Sequence, residues 1–298
     1  MKNLILIFIV IFSFKCWSQQ NPVLLTEVTT PIWHNPASYG SWNKLSINVI
    51  GQMANQNTYS KPSTFFLNAE YKFKYKKSNF MSGIGYNMYK YNNNYYRISD
   101  FSINYNFQFK IRQSTLSFGI SPGVQQINFG IFNPQPITVV TPPLAAAGTR
   151  LKMGAGLFFY NRALFIGISS RNIIVSQFEK PFKNIRQNYG INAGYRFMIS
   201  RNFGILPIVS LFMDDGFFAH SSTLLFQFKK IGLDAGIGYG ARNSFSALLG
   251  FTWGNFSTMY ALQYKPSNLA NSVSMMHELK LSYRLQLTTR CATCSILW

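Results

Sequence analysis

Three histidines, eight acidic residues and three cysteines are where this 298-residue chain could hold hydrolytic, metal or redox chemistry. Asp214-Asp215 and His220 form the one carboxylate–histidine cluster. A histidine oriented by a carboxylate at a barrel rim is what an outer-membrane hydrolase would need. The same residues also read as a polar β-turn followed by a strand position. His277 and Glu278 are adjacent, and neighbours on a strand point to opposite faces, so they cannot act together. His34 stands alone, and no grouping of His, Cys and carboxylate has metal-ligand spacing. The chain's one CxxC, Cys291-Ala292-Thr293-Cys294, lies in a terminal tail without the βαβ context of redox motifs, and a local disulfide is the ordinary outcome in an oxidising compartment. Gly236, Gly238 and Gly240, like Gly83 and Gly85, fall on alternate strand positions rather than at a strand-to-helix turn. That spacing suits close packing against a plug or a neighbouring wall better than a phosphate loop. These residues together predict no catalytic set, no metal and no cofactor.

The elements that would carry those residues are strands. From Ile231 the chain alternates Ile231, Leu233, Ala235, Ile237 and Tyr239 with small or polar residues. It restarts as Phe245, Ala247, Leu249, Phe251 and Trp253, then again as Phe256, Thr258, Tyr260, Leu262 and Tyr264. Such alternation, broken by short Gly/Asn turns, is an antiparallel meander with one apolar face. Further segments are expected at Lys44–Met53, Ser63–Tyr75, Asn79–Lys90 (weaker), Tyr96–Lys110, Arg112–Asn128, Arg150–Tyr160, Ala163–Ser170, Gln187–Met198, Phe203–Met213, Phe217–Lys229 and His277–Leu287. The total is about fourteen, and even counts are usual in bacterial single-chain barrels. Pro122 and Pro207 sit inside two of these segments, where bulges would reconcile proline with a ladder.

Composition decides what the apolar face touches. Charged residues make up 12% of the chain and aromatics 17%, including 28 Phe and 17 Tyr. A soluble sandwich of this kind would expose large apolar patches. After the N-terminus no apolar run is long enough for a spanning helix, which leaves a closed barrel as the way to cross a bilayer. The predicted fold is therefore all-β: a transmembrane antiparallel barrel over residues 44–287 in the bacterial outer membrane. Residues 1–18 read as a cleaved signal peptide, with Lys2, an apolar run Leu4–Phe14 and a cut before Gln19. Lys15 and Phe14 argue against a lipoprotein at Cys16. Residues 19–43, with Pro22, Pro31 and Pro36, form a lead-in segment, periplasmic or tucked into the barrel mouth. Residues 288–298 form a tail. The net charge of +20 would suit nucleic acid, but an exported chain does not normally meet any. Anionic lipid headgroups or an acidic partner are the better match.

The connections sort themselves. Numbered from the N-terminus, the odd gaps include Ala54–Pro62, Phe129–Thr149, Arg171–Arg186 and Pro266–Met275, and every even gap is short. Barrels with short periplasmic turns and longer outer loops show this pattern.

On these residues the chain resembles the PorP/SprF family of outer-membrane proteins, associated with type IX secretion and gliding motility in Bacteroidetes. Gln19-Gln20 follows the signal cut, and Asn35-Pro36-Ala37-Ser38-Tyr39-Gly40 is similar to the family's early NPA–Gly segment. Lys152–Phe158 with Phe165–Ser169 resembles its mid-chain hairpin, Gly194-Tyr195-Arg196-Phe197 a later strand, and Ser246–Phe251 and His277–Leu285 the last strands. The chain departs from the family at Trp33-His34 and in a tail that runs past Arg284-Leu285. The resemblance implies an accessory role: holding, displaying or helping to export a secreted surface protein, often an adhesin, through that protein or its C-terminal sorting domain, alongside other type IX components.

Two further readings concern the lumen and the loops. The inward-facing Lys72, Lys74, Lys110, Arg196, Lys280 and Arg284 would line either an anion-selective pore or a solvated wall in which Glu70 and Glu278 pair with some of them. The longest loop carries Pro134 and Pro136 among four prolines, which suits a preorganised docking surface. The next long loop adds Arg171, Lys180, Lys183 and Arg186, which either meet an acidic partner or keep the loop soluble. A transport pore for small anionic or hydrophobic solutes is the alternative function.

Overall fold

The computed structural model describes residues 24–26, 35–41, 45–56, 62–74, 79–93, 96–129, 146–175, 188–214, 217–240, 243–266 and 273–285. Strands follow one another as β1 (Leu45–Gln56), β2 (Ser63–Lys74), β3 (Phe80–Asn92), β4 (Tyr96–Ile111), β5 (Ser114–Phe129), β6 (Ala146–Tyr160) and β7 (Leu164–Val175). The second half comprises β8 (Asn188–Tyr195, resuming at Phe197–Met198), β9 (Phe203–Asp214), β10 (Phe217–Phe228), β11 (Leu233–Gly240), β12 (Ser244–Trp253), β13 (Phe256–Pro266) and β14 (Val273–Leu285). Each pairs antiparallel with its sequence neighbours, and β1 pairs with both β2 and β14. The sheet closes on itself as a fourteen-strand barrel, so no edge is left to be satisfied.

The two faces separate as alternation requires. Along β4, Ile103, Tyr105, Phe107 and Phe109 are 59, 43, 39 and 38% exposed, whereas Asn104, Asn106 and Gln108 are 1, 0 and 0% exposed. The outward parity is apolar all round the barrel, from Ile47 and Phe65 to Leu249, Phe251 and Leu281. It makes the lipid-facing band. The inward parity is polar, and a ring of amides runs around part of it. Ser282 donates to Asn48 (2.8 Å), Asn48 to Asn68 (2.9 Å) and Asn68 to Asn87 (3.0 Å).

The weak segment near Asn79 is a full strand, Phe80–Asn92. Its inward positions include Gly83 and Gly85, which blur the hydropathy pattern without disturbing the ladder. Neither proline sits at a bulge. On β4–β5 the register is the same on both sides of Pro122, but the rungs of Ile103 and Asn104 are missing. Pro207 lies at the register position of Tyr195, beside Arg196, where β8 is interrupted. In both places the missing amide proton removes rungs and leaves the alignment intact. Among the described residues the one register shift between paired strands falls instead between β6 and β7, at Met153/Ala155, next to Arg171. That strand runs to Val175, so Arg171 belongs to the wall and not to the loop where the sequence pattern put it.

Candidate functional site

Two described pieces of the chain, residues 24–26 and 35–41, sit inside the lumen. Residues 35–41 lie against β2–β7, all toward the end that carries the short turns. Asn35 begins a 3-10 turn, Pro36–Ser38, by accepting a hydrogen bond from the amide of Ala37 (2.9 Å). Pro36 at the first turn position has the backbone angle the turn needs and no amide to satisfy. The Asn35 amide group donates to the carbonyl of Leu157 on β6 (2.9 Å).

The wall then receives the turn's carbonyls. Ala37 O accepts from Asn106 (2.9 Å) and Ser117 (2.6 Å), and Tyr39 O accepts from Gln108 (2.7 Å) and from Asn106. Gly40 N donates to Glu70 (2.7 Å). Gly40 has φ of +61°, and a side chain there would press on Lys72 Cβ and Gly83 Cα. The motif residues Asn35, Pro36, Ala37 and Gly40 thus converge on one buried site.

Glycines make the room. An added Cβ at Gly119 would sit 2.3 Å from the Ala37 nitrogen, and one at Gly85 would sit 2.2 Å from the Tyr39 ring. Tyr39, itself fully buried, can sit against β3 only because the wall has no side chain there.

A second clasp holds residues 24–26 nearer the long-loop end. Glu278 accepts from Leu25 N (2.8 Å), Thr26 N (2.7 Å), Thr26 Oγ1 (2.5 Å) and Gln52 Nε2 (2.8 Å). These four donors meet the buried carboxyl group of Glu278 from β1 and the plug together. Both plug pieces also seed apolar clusters in the lumen. Ala37 packs with Phe158, Phe165, Leu206 and Leu225, and Leu24 packs with Ile50, Phe66 and Tyr89.

Most of the described inward cations are buried rather than open to water. Lys72, Arg196, Lys280 and Arg284 are buried, and Lys110 is half-buried near the rim. The side chain of Lys74 is outside the described residues. Glu70 interacts electrostatically with Arg284 and Lys72, and Asp234 with Arg284 and Arg196. Glu278, expected to pair with a cation, serves the plug instead. On the other side of the lumen Asp100 and Lys152 form an ion pair at 2.5 Å, both buried. Gln125 bridges them to Arg150, donating to Asp100 (3.1 Å) and accepting from Arg150 Nε (2.9 Å). Breaking one partner of such a pair leaves a buried charge uncompensated. Asp100→Asn is expected to lower stability by about 3–5 kcal/mol, and the double change Asp100→Leu/Lys152→Met to recover most of it. Urea unfolding of the barrel in detergent, followed by tryptophan fluorescence, measures both.

No hydrolytic or metal constellation forms among the described residues. His220 lies opposite Leu211, three rungs from Asp214, or about 10 Å along the strand. Its ring packs beside Tyr239 at 5.8 Å, and neither ring nitrogen has a hydrogen-bond partner among the described residues. Asp215, His34, Cys291 and Cys294 fall outside the described residues, as do the loop candidates Pro134, Pro136, Lys180, Lys183 and Arg186. Sequence reading singled out the NPA–Gly segment but not its receptors. The lumen-facing glycines and the Asn106, Gln108 and Ser117 set were the signal that could have placed it.

The family model for the type IX secretion system membrane protein PorP/SprF matches residues 18–283. The chain belongs to the PorP/SprF family. Its solved structural neighbours are outer-membrane barrels. The Ralstonia pickettii toluene transporter TbuX has a TM-score of 0.53 and 10% identity, over 86% of this chain and 93% of that one. The monoaromatic hydrocarbon channel CymD has a TM-score of 0.55 and 9% identity, over 92% and 96%. The Pseudomonas putida toluene transporter TodX has a TM-score of 0.52 and 8% identity, over 88% and 94%. At such identities the likeness concerns the fold alone. Among curated proteins none is similar to the chain in sequence. PorP/SprF membership and the barrel fold make this an outer-membrane protein, and the family is of a non-enzymatic kind.

Proposed function

We propose that this PorP/SprF barrel anchors, or assists export of, a secreted surface protein such as an adhesin, working with other components of the type IX system. The observation that carries the reading is the occupied lumen. Residues 24–26 and 35–41 are built into the wall by buried hydrogen bonds at both ends, which suits a rigid platform more than an open conduit. Recognition then falls to the long-loop end, where the proline-bearing connection 130–145 and the basic connection 176–187 emerge from neighbouring strands. A vestibule of about 170 Å³ at the same end, floored by Leu24 and Leu25 and walled by Thr64, Thr223, Ser246 and Gln263, is a second place for a partner segment. The partner would be the secreted protein or its C-terminal sorting domain. No catalytic step is required. In a deletion strain one secreted protein should disappear from the cell surface and return on complementation. An unchanged surface proteome, with no secreted partner recovered on the purified barrel, would count against the role.

The second reading, a transport pore for small anionic or hydrophobic solutes, is favoured by neighbours described as a toluene transporter and a monoaromatic hydrocarbon channel. Steady currents from the intact barrel in planar bilayers would favour this reading, and silence the anchor.

A further inference from the structure

The lipid-facing surface carries mostly large apolar side chains, with smaller ones at some positions, and at Gly51 it carries none. This residue occupies an outward position midway along β1, with Phe65 of β2 and Leu279 of β14 on either side of it on the same rung. A Cβ built at Gly51 meets nothing within 4 Å. The gap is a notch of about 430 Å³ whose outer walls are Met53, Phe65, Tyr260, His277 and Leu279.

One polar pair stands at the rim. The Tyr260 hydroxyl lies 2.7 Å from His277 Nδ1, and both residues sit on the outward parity, opposite Leu279 and Met53 respectively. If Nδ1 accepts from the hydroxyl, the neutral ring carries its proton on Nε2. A ring N–H on a hydrocarbon-facing wall is costly unless something accepts from it. We propose that the notch holds one acyl chain of a phosphate-bearing membrane lipid, with His277 Nε2–H donating to an ester or phosphate oxygen of that lipid. The notch opens into the lipid-facing band and continues it. Its walls are apolar where a chain would lie, and its donor lies toward the long-loop end, where the polar part of a lipid in that leaflet would be. A partner barrel inserting a side chain is the competing occupant. The inference requires only an outer-membrane barrel and is independent of the anchoring role.

Native mass spectrometry of the barrel extracted from outer membranes in mild detergent tests it. The wild type should carry one lipid adduct, whose mass distinguishes a glycerophospholipid from a phosphorylated glycolipid. Gly51→Leu should abolish the adduct by filling the notch. His277→Ala should reduce its occupancy roughly two- to tenfold, the worth of one hydrogen bond. Heat-modifiable mobility on gels checks that each variant is folded. A photo-crosslinking residue at Met53 supplies a separate arm and should capture lipid. Absence of an adduct on the wild type, its persistence in folded Gly51→Leu, or capture of a protein at Met53 would each overturn the proposal.

Discussion

A barrel lacking residues 20–41 is expected to conduct ions steadily, with a single-channel current roughly an order of magnitude or more above that of the intact protein. The wall beneath the plug is polar on its own account: Asn48, Asn68, Asn106, Gln108 and Ser117 all face the lumen and are buried. Water can take over the hydrogen bonds that Ala37 and Tyr39 now make, so the wall has no need to collapse when the plug is gone. Fourteen strands fall between the filled eight-stranded barrels and the sixteen-stranded porins with aqueous channels. Planar-bilayer recordings before and after the deletion measure the difference. Equal currents from the two proteins would mean that residues 24–26 and 35–41 do not close the lumen.

Gly119→Leu should unseat the 35–41 end while sparing the ladder. Its side chain would enter space held by Pro36 and Ala37, whose backbone atoms stand 2.3–2.5 Å from the new Cβ. Backbone cannot turn aside as a flexible side chain can. Overpacking of this kind costs about 1–3 kcal/mol, a factor of roughly 5–150 in the ratio of seated to released plug. Because β5 contacts its neighbours through backbone at this rung, the wall itself should remain folded. Limited proteolysis gives the readout: cleavage within 27–44 should accelerate by that factor in Gly119→Leu and hardly at all in Gly51→Leu, whose added side chain meets open space. Matching rates in the two variants would show that the turn is not held by contact at Gly119.

The two variants separate what glycine does on the two faces of the same kind of strand. On the inner face Gly85, Gly119 and Gly156 are indentations shaped to the plug, and any Cβ would collide with Tyr39, Pro36 or Asn35. On the outer face Gly51 leaves a hollow that the protein does not fill. Sequence alternation tells the two faces apart but not what occupies the space above each glycine.

What the sequence determined by itself was the architecture. Period-two alternation is a local property: each residue's neighbours at i±2 share its face, so Phe101–Phe109 against Ser102–Gln108 declares both a strand and its lipid side. Loop lengths are equally local, and they divided the two ends of the barrel. The NPA–Gly segment and its family resemblance were also visible in the sequence. Only the tertiary structure decided where that segment goes, because its partners lie far along the chain. Asn35 meets Leu157, Ala37 meets Ser117, and Thr26 meets Glu278. No periodicity encodes a contact between a lead-in turn and six strands at once. The lumen charges were only partly legible for the same reason: Glu70 lies among cations as its parity suggests, and Glu278 meets the plug instead. Parity shows that Glu278 and Arg284 face inward, but whether an inward charge meets water, a counter-ion or a backbone amide depends on what occupies the lumen. The prolines show the local limit from the other side. Loss of an amide proton can be read at Pro122 and Pro207, yet whether the ladder bulges or merely loses rungs is settled by the strands across from them.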